Sequence, residues 1–395
     1  MLADTCEVFA DGDWIESKDQ SSEGIRLIQT GNVGEGIFKD RGEKARYISE
    51  ATFKRLRCTE IFEGDCLISR LPDPAGRSCL LPDTGERMIT AVDCTIVRFN
   101  RKQVVPVFFN YFSRSHNYLC AVDSETTGTT RKRISRSKLA QTSIPLPSLP
   151  EQQRIVGILD EAFDGIATAK ANAEKNLQNA HALFESHLQS VFTDAWKTGE
   201  LVTLADLATD VTDGDHMPPP KAPSGVPFIT IGNIAKDTCT IDFTETFMVS
   251  REYYDRLKPN KKPKIGDILY TVTGSFGIPV LVHEHREFCF QRHIGLVRPK
   301  PEVSSEWLYY LLMSPQIFTQ ANDGATGTAQ RTVSLKLLRG FQVPRIPLAR
   351  QQEVAAKLNA IIEETERLES IYQRKLAALE VLKKSLLHQA FSGEL

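Results

Sequence analysis

The stretch IPLPSLPEQQ at residues 144–153 returns as VPRIPLARQQ at residues 343–352, and this repetition decides the architecture of the chain. The two copies lie 199 residues apart (343 − 144) in a chain of 395 residues, so each copy belongs to one half. Prolines keep the backbone extended, whereas the polar residues that follow them can start a helix. Each copy therefore predicts an extended step that leads into a long helix.

The repetition continues outward into the residues that precede each step. TGT recurs at 127–129 and 326–328, and further upstream EGDCL at 63–67 faces IGDIL at 265–269. IQTGN at 28–32 faces ITIGN at 229–233, and DGD at 11–13 faces DGD at 213–215. Matches in the same order indicate an internal duplication. We predict four segments: a module at residues 1–150, a helix at 151–193, a second module at 194–349 and a second helix at 350–395.

A seam of apolar side chains runs along both predicted helices. Its residues alternate four and three positions apart, which is the heptad pattern of a coiled coil. Asn176 and His187 interrupt the first seam, and Lys375 interrupts the second. The seams comprise Ile155, Leu159, Ala162, Ile166, Ala169, Ala173, Ala180 and Leu183, and then Val354, Leu358, Ile361, Thr365, Leu368, Tyr372, Leu379, Leu382 and Leu386. The pattern predicts that the helices pack together, and it leaves their relative direction open.

Each module is predicted to have a mixed α+β fold. Short apolar runs between glycine and proline turns are typical of strands. The predicted strands are Thr90–Phe99, Val104–Phe109, Phe228–Ile231, Ile268–Val272, Ile278–Val282 and Ile294–Val297. Val105–Ser113 competes as a helix with the second of these strands, and Glu306–Ser314 is a predicted helix.

Composition excludes several classes of protein. Forty-eight Lys and Arg face fifty Asp and Glu, and neither module by itself is strongly basic. A hydrophobic fraction of 41% with 25% charged residues excludes wholesale disorder. No apolar run approaches the roughly 20 residues of a membrane-spanning helix, and we expect no secretion, because the first residues contain no basic segment followed by an apolar stretch. The eight cysteines form no Cys-x-x-Cys pair, so we expect reduced thiols in a cytoplasmic protein.

Polar and basic loops are the candidate nucleic-acid contacts. Hydroxyls, a glycine and guanidinium groups suit phosphate and base-edge contacts. A single basic run more often belongs to a solvated surface, but a Thr-Gly-Thr loop recurs ahead of both helices, and Arg131, Arg133 and Arg331 within these loops are expected to make direct contact. The candidates are Ser69, Arg70, Thr127, Gly128, Thr129, Thr130, Arg131, Lys132 and Arg133, and then Thr273, Ser275, Phe276, Gln291, Arg292, His293, Thr326, Gly327, Thr328, Gln330 and Arg331.

Enzyme motifs are missing from the sequence. Neither a Gly-x-x-x-x-Gly-Lys phosphate loop nor a Gly-x-Gly-x-x-Gly fingerprint occurs, and the Asn-Pro-Pro-Tyr of adenine methyltransferases is absent. HEHRE at 283–287 with Cys289, and DGDH at 213–216, could be drawn as metal sites, but the pattern favours polar turns between strands. We predict neither a catalytic nor a metal site. Two alternatives stay open: a coiled-coil adaptor that binds proteins, and an enzyme with an unrecognised site.

The proline steps and the chain's last residues resemble one known family. PLPSLPEQQRIV at 145–156, PLARQQEV at 347–354 and LKKSLLHQAFSGEL at 382–395 are similar to the boundaries of the conserved helices in specificity subunits of type I restriction-modification systems. One departure is AR at 349–350, where the first copy has PE at 150–151. The resemblance covers the whole chain in order, duplication and spacing.

The resemblance implies a fold and a function. It implies two mixed α/β target recognition domains separated by two long helices, packed as an antiparallel coiled coil with pseudo-twofold symmetry. It implies recognition of a bipartite target in double-stranded DNA, with two methyltransferase subunits and restriction subunits as partners. No cofactor is expected on this chain, because the resemblance assigns S-adenosylmethionine to the methyltransferase and ATP with Mg to the endonuclease. The methyltransferase would act on adenine N6 of a flipped base.

Overall fold

The computed structural model describes residues 1–72, 74–129, 132–217, 219–328 and 330–395. The chain divides into two compact units. Unit 1 comprises Met1–Glu174 together with Arg374–Leu395, and unit 2 comprises Lys175–Gln373. No helix in the described ranges combines the length and the hydropathy that crossing a membrane requires.

Unit 1 is a mixed module built on two β-sheets. The order β1-β9-β6-β7 forms an antiparallel sheet, and β2-β4-β3-β8-β5 forms a second sheet in which β3 and β8 are parallel. The strands are β1 (Cys6–Asp11), β2 (Gln20–Ser21), β3 (Ile25–Ile28), β4 (Tyr47–Ile48), β5 (Glu60–Ile61), β6 (Cys66–Ser69), β7 (Ser78–Leu80), β8 (Met88–Thr90) and β9 (Cys94–Phe99). The short helices are α1 (Glu50–Leu56), α2 (Pro106–Phe112), α3 (His116–Ser124) and α4 (Arg136–Ala140).

Two long helices pass through both units. They are α5 (Leu149–Thr198) and α11 (Leu348–Ser392). Both begin within two residues of the predicted starts, because a proline such as Pro150 is tolerated in the first turn of a helix. α5 ends at Thr198, directly before Gly199 and beyond the predicted end at 193, whereas α11 ends at Ser392, directly before Gly393 and short of the predicted end at 395.

Unit 2 repeats the order of unit 1. The antiparallel sheet β11-β19-β16-β17 corresponds to β1-β9-β6-β7, and an irregularity falls near the start of both β1 and β11. The strands are β10 (Glu200–Thr203), β11 (Ala208–Asp213), β12 (Val226–Ile229), β13 (Ile234–Ala235), β14 (Thr240–Ile241), β15 (Phe247–Val249), β16 (Ile268–Thr271), β17 (Pro279–Leu281), β18 (Cys289–Phe290), β19 (Ile294–Pro299) and β20 (Gln342–Arg345). The helices between them are α6 (Leu204–Leu207), α7 (Arg251–Arg256), α8 (Ser305–Met313), α9 (Pro315–Gly324) and α10 (Leu335–Arg339).

Matching ion pairs in the two units confirm the internal repeat. Asp65 accepts two hydrogen bonds from the Arg98 guanidinium at 2.7 and 2.8 Å, and Asp267 accepts two from Arg298 at 2.7 and 2.9 Å. Both aspartates are buried, and paired, bidentate hydrogen bonds are what make a buried carboxylate tolerable. The recurring Gly-Asp motif is therefore an anchor between the β6–β9 pair in one unit and the β16–β19 pair in the other.

The structure corrects two of the predicted strands. Val104–Phe109 is not a strand: Pro106 opens α2, whose Phe108, Phe109 and Phe112 are buried. A helix that is apolar on most of its faces belongs in a core, so the helical alternative was the right one. Thr90–Phe99 is divided between β8 and β9 by a turn at residues 91–93.

Each unit holds its parts of α5 and α11 in antiparallel directions. In unit 1, Arg154 donates to the Leu395 carbonyl oxygen at 2.9 Å, while Lys170 pairs with Glu380 at 2.9 Å. In unit 2, His181 Nδ1 lies 2.9 Å from Glu369 Oε1, and Leu188 and Phe192 share a core cluster with Val354 and Leu358. In both units, residues later in α5 meet residues earlier in α11. The contacts thus settle the direction that the heptad pattern left open.

The predicted seam drifts near the end of each helix. Leu183 and Leu382 are 47% and 46% exposed, so neither lies in the seam as predicted. In unit 2 the seam passes instead through Phe184 and Leu188. In unit 1 Lys383 sits over the Phe163 ring, with its Nζ 5.6 Å from the ring centroid. A long lysine stem can cover apolar surface while its charge stays in water, which is why a polar residue occupies a seam position.

Candidate nucleic-acid interface

The repeated Thr-Gly-Thr loops have the same backbone geometry in both units. Thr127 and Arg133 exchange two backbone hydrogen bonds of 2.9 Å, and Thr326 and Thr332 exchange two of 3.0 and 2.8 Å. Gly128 and Gly327 adopt φ values of +108° and +105°, which are costly for any residue with a Cβ. The described residues of each loop are thus closed at their base by a backbone hydrogen-bond pair, and their Thr-Gly-Thr threonines are exposed.

The base of each tip is tied to a neighbouring strand. Ile134 donates its N–H to the Arg70 carbonyl oxygen at 3.1 Å, and Val333 donates to that of Val272 at 2.8 Å. Ser135 caps α4 by accepting from the Lys138 N–H, and Ser334 caps α10 by accepting from the Leu337 N–H. Such caps satisfy N–H groups that a helix leaves free. Each Thr-Gly-Thr motif is thus followed by a residue bonded to the end of a strand and then by a capped helix.

Substitution of Gly327 should deform the tip in unit 2. A Cβ at this position would lie 2.4 Å from the Gln330 carbonyl oxygen, in addition to the positive φ. We expect Gly327→Ala to lower the unfolding free energy by about 1–3 kcal/mol, measured by chemical denaturation of the purified chain.

Gly274→Ala separates the two causes. Gly274 also has a positive φ, of +72°, but nothing lies within 4 Å of its Cβ position. Its alanine variant should lose about 1 kcal/mol, the conformational part alone. Equal losses at the two glycines would contradict the close-contact argument.

Unit 2 carries a cleft beside its Thr-Gly-Thr loop, called the polar cleft below because it gathers five polar side chains beside three isoleucines, Ile231, Ile234 and Ile278. The cleft has a volume of about 300 Å³, and it gathers side chains from four separate segments of the chain. Thr273 and Ser275 follow β16, His293 precedes β19, Gln330 comes from the loop, and Lys236 follows β13. Hydroxyl, amide and imidazole groups can donate and accept at base edges. The cleft thus offers hydrogen bonds of both kinds and one cation.

Backbone hydrogen bonds hold the cleft in shape. The His293 carbonyl oxygen accepts from the Val272 N–H at 2.9 Å, and Gly274 donates its N–H to the Arg331 carbonyl oxygen at 3.1 Å. Burial, followed by the charge of Arg292, lowers the pKa of the His293 imidazole below its usual 6.5. At pH 7 the imidazole is therefore neutral and has one donor and one acceptor nitrogen.

Other predicted residues of unit 2 lie outside this cleft. Gln291, Arg292, Phe276 and Thr326–Thr328 are not among its walls. Arg331 donates to the side-chain and backbone oxygens of Asn322, and its guanidinium carbon lies 5.7 Å from the centroid of the Phe276 ring. Arg331 thus stiffens the loop while remaining exposed.

In unit 1 several of the predicted residues are buried or form ion pairs with acidic side chains of the same chain. Ser69 and Arg70 are buried, and Arg70 pairs with Asp11 at 3.1 Å. Their burial leaves little of either side chain accessible, and the contact of these two residues with DNA stays a prediction. Arg133 pairs with Asp93 at 3.0 Å and Lys132 approaches Asp123 at 3.7 Å. Thr127, Gly128 and Thr129 are exposed, and Thr130 and Arg131 lie outside the described residues.

Sequence reasoning missed Lys236 and the short helical turn Ile231–Asn233, part of which lines the cleft. The duplication contained a signal, because IQTGN and ITIGN recur, but it did not show which side of the turn faces the cleft. No group of three or more His, Cys, Asp or Glu within the described ranges is arranged to hold a metal. His216 bonds to Asp213, whereas Asp215 accepts from the Tyr253 hydroxyl.

Comparison with known proteins finds one family. The family described as "Type I restriction modification DNA specificity domain" matches residues 2–178 and 195–376. The Type I restriction enzyme EcoBI specificity subunit of Escherichia coli is 24% identical over 304 residues, which is 70% of this chain and 64% of that protein. The EcoKI specificity subunit of Escherichia coli (strain K12) is 23% identical over 323 residues, or 76% of this chain and 68% of that protein.

Solved structures share the fold. A chain described under "Structural basis underlying complex assembly and conformational transition of the type I R-M system" aligns with a TM-score of 0.76, covering 100% of this chain and 97% of its own. The HsdS subunit from Thermoanaerobacter tengcongensis aligns with a TM-score of 0.66, covering 100% and 96%. Both are 20% identical to this chain. The likeness confirms a mixed α/β fold with two long helices.

Proposed function

Because the chain belongs to the type I restriction modification DNA specificity family, we propose that it is the DNA sequence-recognition subunit of a type I restriction-modification complex. Each unit reads one half of a bipartite target in double-stranded DNA. The chain itself is non-catalytic. Catalysis belongs to two methyltransferase subunits, which bring S-adenosylmethionine, and to restriction subunits, which bring ATP and Mg.

The polar cleft of unit 2 is the observation that carries this proposal. It brings together Thr273, Ser275, His293 and Gln330, all predicted from the sequence, although up to 57 residues (330 − 273) separate them along the chain. Base-edge recognition requires several side chains with both donor and acceptor atoms on one surface. A protein-binding adaptor has no need of such a set, and its interface core is depleted in charged groups and enriched in aromatic residues.

The charge of the chain is consistent with shared DNA binding. A formal net charge of −2 provides little long-range attraction to phosphates. Affinity from this chain then comes from local groups such as Lys236 and the exposed loop cations, and the partner subunits supply the rest. This chain therefore supplies the sequence recognition, and the assembled complex supplies most of the affinity for DNA.

Sequencing of methylated bases tests the proposal. The chain is co-expressed with a type I methyltransferase subunit in cells that lack adenine methylation, and the genome is read for N6-methyladenine. We expect one split motif with two specific halves around an unspecific spacer. The same cells without this chain are the control. Methylation absent, or present without a motif, would contradict DNA recognition, and an adaptor predicts that result.

A further inference from the structure

A second, strongly basic cavity lies in unit 1. It has a volume of about 360 Å³, and its walls include Gln29, Asn32, Arg41, Lys44 and Arg46. The three cations come from the short segment between the helical turn Thr30–Asn32 and β4. In the sequence, Asp40 and Glu43 alternate with these cations and mask their charge.

The acidic neighbours of this cavity are already engaged. Arg26, whose side chain is 5% exposed, pairs with Glu86 at 2.8 Å and with Asp40. These two carboxylates therefore neutralise the buried Arg26 guanidinium, and less of their negative charge is left to neutralise the cations of the cavity. Among the described residues, Arg41, Lys44 and Arg46 form no ion pair, and all three are exposed. Three exposed cations in one concave site attract an anion.

Backbone hydrogen bonds hold the segment that carries the cations of this cavity. Lys44 donates its N–H to the Arg41 carbonyl oxygen at 2.8 Å, and Leu27 donates to that of Arg46 at 2.7 Å. The Arg41 guanidinium lies against Gly31, where a Cβ would be 2.2 Å from Arg41 Nη1. Gly31 thus leaves room for this side chain above the helical turn. The cations are placed by a turn and a strand and not by a free tail.

The position of the cavity in the repeat suggests its ligand. Gln29 precedes the turn Thr30–Asn32 and Asn32 ends it, and both line this cavity, whereas in unit 2 Ile231 and Gly232 of the corresponding turn Ile231–Asn233 line the polar cleft. The two concave sites therefore adjoin the same turn of the repeat but use different residues of it. Unit 2 presents four neutral polar side chains and three isoleucines at its site, with Lys236 as the cation. Unit 1 presents three unpaired cations and no hydroxyl-rich wall.

We propose that this cavity of unit 1, formed by Arg41, Lys44 and Arg46, binds a backbone phosphate of the DNA. The proposal rests on the function proposed above and assigns the two units different tasks. In unit 1 this site anchors the duplex through charge, whereas in unit 2 the cleft beside the corresponding turn reads base edges. Phosphate contacts position a protein on DNA, and base contacts supply its specificity.

Salt dependence of DNA binding tests the site in the assembled methyltransferase complex. Lys44→Gln/Arg46→Gln removes two exposed charges, and Arg101→Gln/Lys102→Gln is the matched control, because these cations are exposed in the same unit but outside the cavity. Losing a phosphate contact flattens the plot of log Kd against log salt by about one unit. We expect a flattening of about one to two units for the cavity variant and none for the control.

Phosphate ethylation shows whether the loss is local. In the wild-type complex, an ethyl group on one particular backbone phosphate should weaken binding, and this penalty should vanish in Lys44→Gln/Arg46→Gln. Gly31→Ala, which keeps every charge but displaces Arg41, should weaken the same penalty. Titration of the wild-type complex with inorganic phosphate is a second experiment. If free phosphate binds at the cavity but Lys44→Gln/Arg46→Gln leaves the salt slope of DNA binding as in the wild type, the assignment to DNA is overturned.

The outcomes distinguish this inference from the proposed function. If the wild-type complex methylates a specific motif while the cavity variant keeps the wild-type salt slope and ethylation pattern, the phosphate site is wrong and the proposed function stands. If the wild-type complex recognises no sequence, both are wrong.

Discussion

Replacement of Gln152 by Ala is expected to lower the unfolding free energy of unit 1 by about 3–5 kcal/mol. The side chain is fully buried, and its Oε1 accepts from the Val105 N–H at 2.8 Å. Its Nε2 donates to the carbonyl oxygens of Gln103 and Pro147, both at 2.9 Å. Alanine leaves these three backbone groups without this partner, and each buried unsatisfied group costs about 1–3 kcal/mol.

The repeat supplies a graded comparison. Gln351 is also buried, accepts from the Ser304 N–H at 2.8 Å and donates to the Ile346 carbonyl oxygen at 2.8 Å. With two partners in place of three, Gln351→Ala should destabilise unit 2 less than Gln152→Ala destabilises unit 1. Thermal and denaturant unfolding measure both losses, and hydrogen exchange at the Val105 amide should accelerate in the first variant.

The neighbouring glutamines are matched controls. Gln153 and Gln352 are exposed, so their alanine variants should change the unfolding free energy by less than about 0.5 kcal/mol. If all four variants behaved alike, the buried hydrogen bonds would not explain the repeated glutamine pair. The first glutamine of each repeated pair thus joins a module to its long helix through buried hydrogen bonds.

Much of the fold follows from local pattern, since duplication and heptad spacing are properties of the sequence itself. The direction of the helices does not, because it depends on pairs such as Lys170 with Glu380, which are 210 residues apart. The exposure of Leu183 and Leu382 likewise depends on which face of each helix the rest of the fold covers. Periodicity describes one helix and carries no information about what covers it.

The candidate site, like the fold, could be predicted only in part from the sequence. Residue type and recurrence were enough to select Thr273, His293 and Gln330 as candidate DNA contacts, and the fold brings these three to one cleft. They were not enough to predict that Asp11 would pair with Arg70 and Asp93 with Arg133, because Asp11 ends β1 and Asp93 lies in the turn before β9, both distant in sequence from their partners. A cation that looks free in a sequence is free only if the fold brings no acid to it.

Loss of the unit 2 cleft should relax recognition of one half of the target. In the methyltransferase complex, His293→Ala/Gln330→Ala removes two cleft side chains that can hydrogen-bond to bases. Each good base contact discriminates by about 1–3 kcal/mol, so we expect the preference for the correct base over a single-base variant to fall by about 10- to 100-fold. Methylation rates on oligonucleotides that carry every single-base change in each half-site measure this preference.

The position of the effect distinguishes base reading from general damage. Only bases in the half-site read by unit 2 should become interchangeable, and discrimination in the other half-site should stay as in wild type. His285→Ala is the control, because His285 is exposed and lies outside the walls of the cleft. The neutral state of His293 adds a pH test: recognition should hold at pH 7 and change below the usual histidine pKa, where protonation removes the acceptor nitrogen. Uniform loss of methylation on every oligonucleotide, with discrimination intact, would mean that the cleft supports the fold and does not read bases.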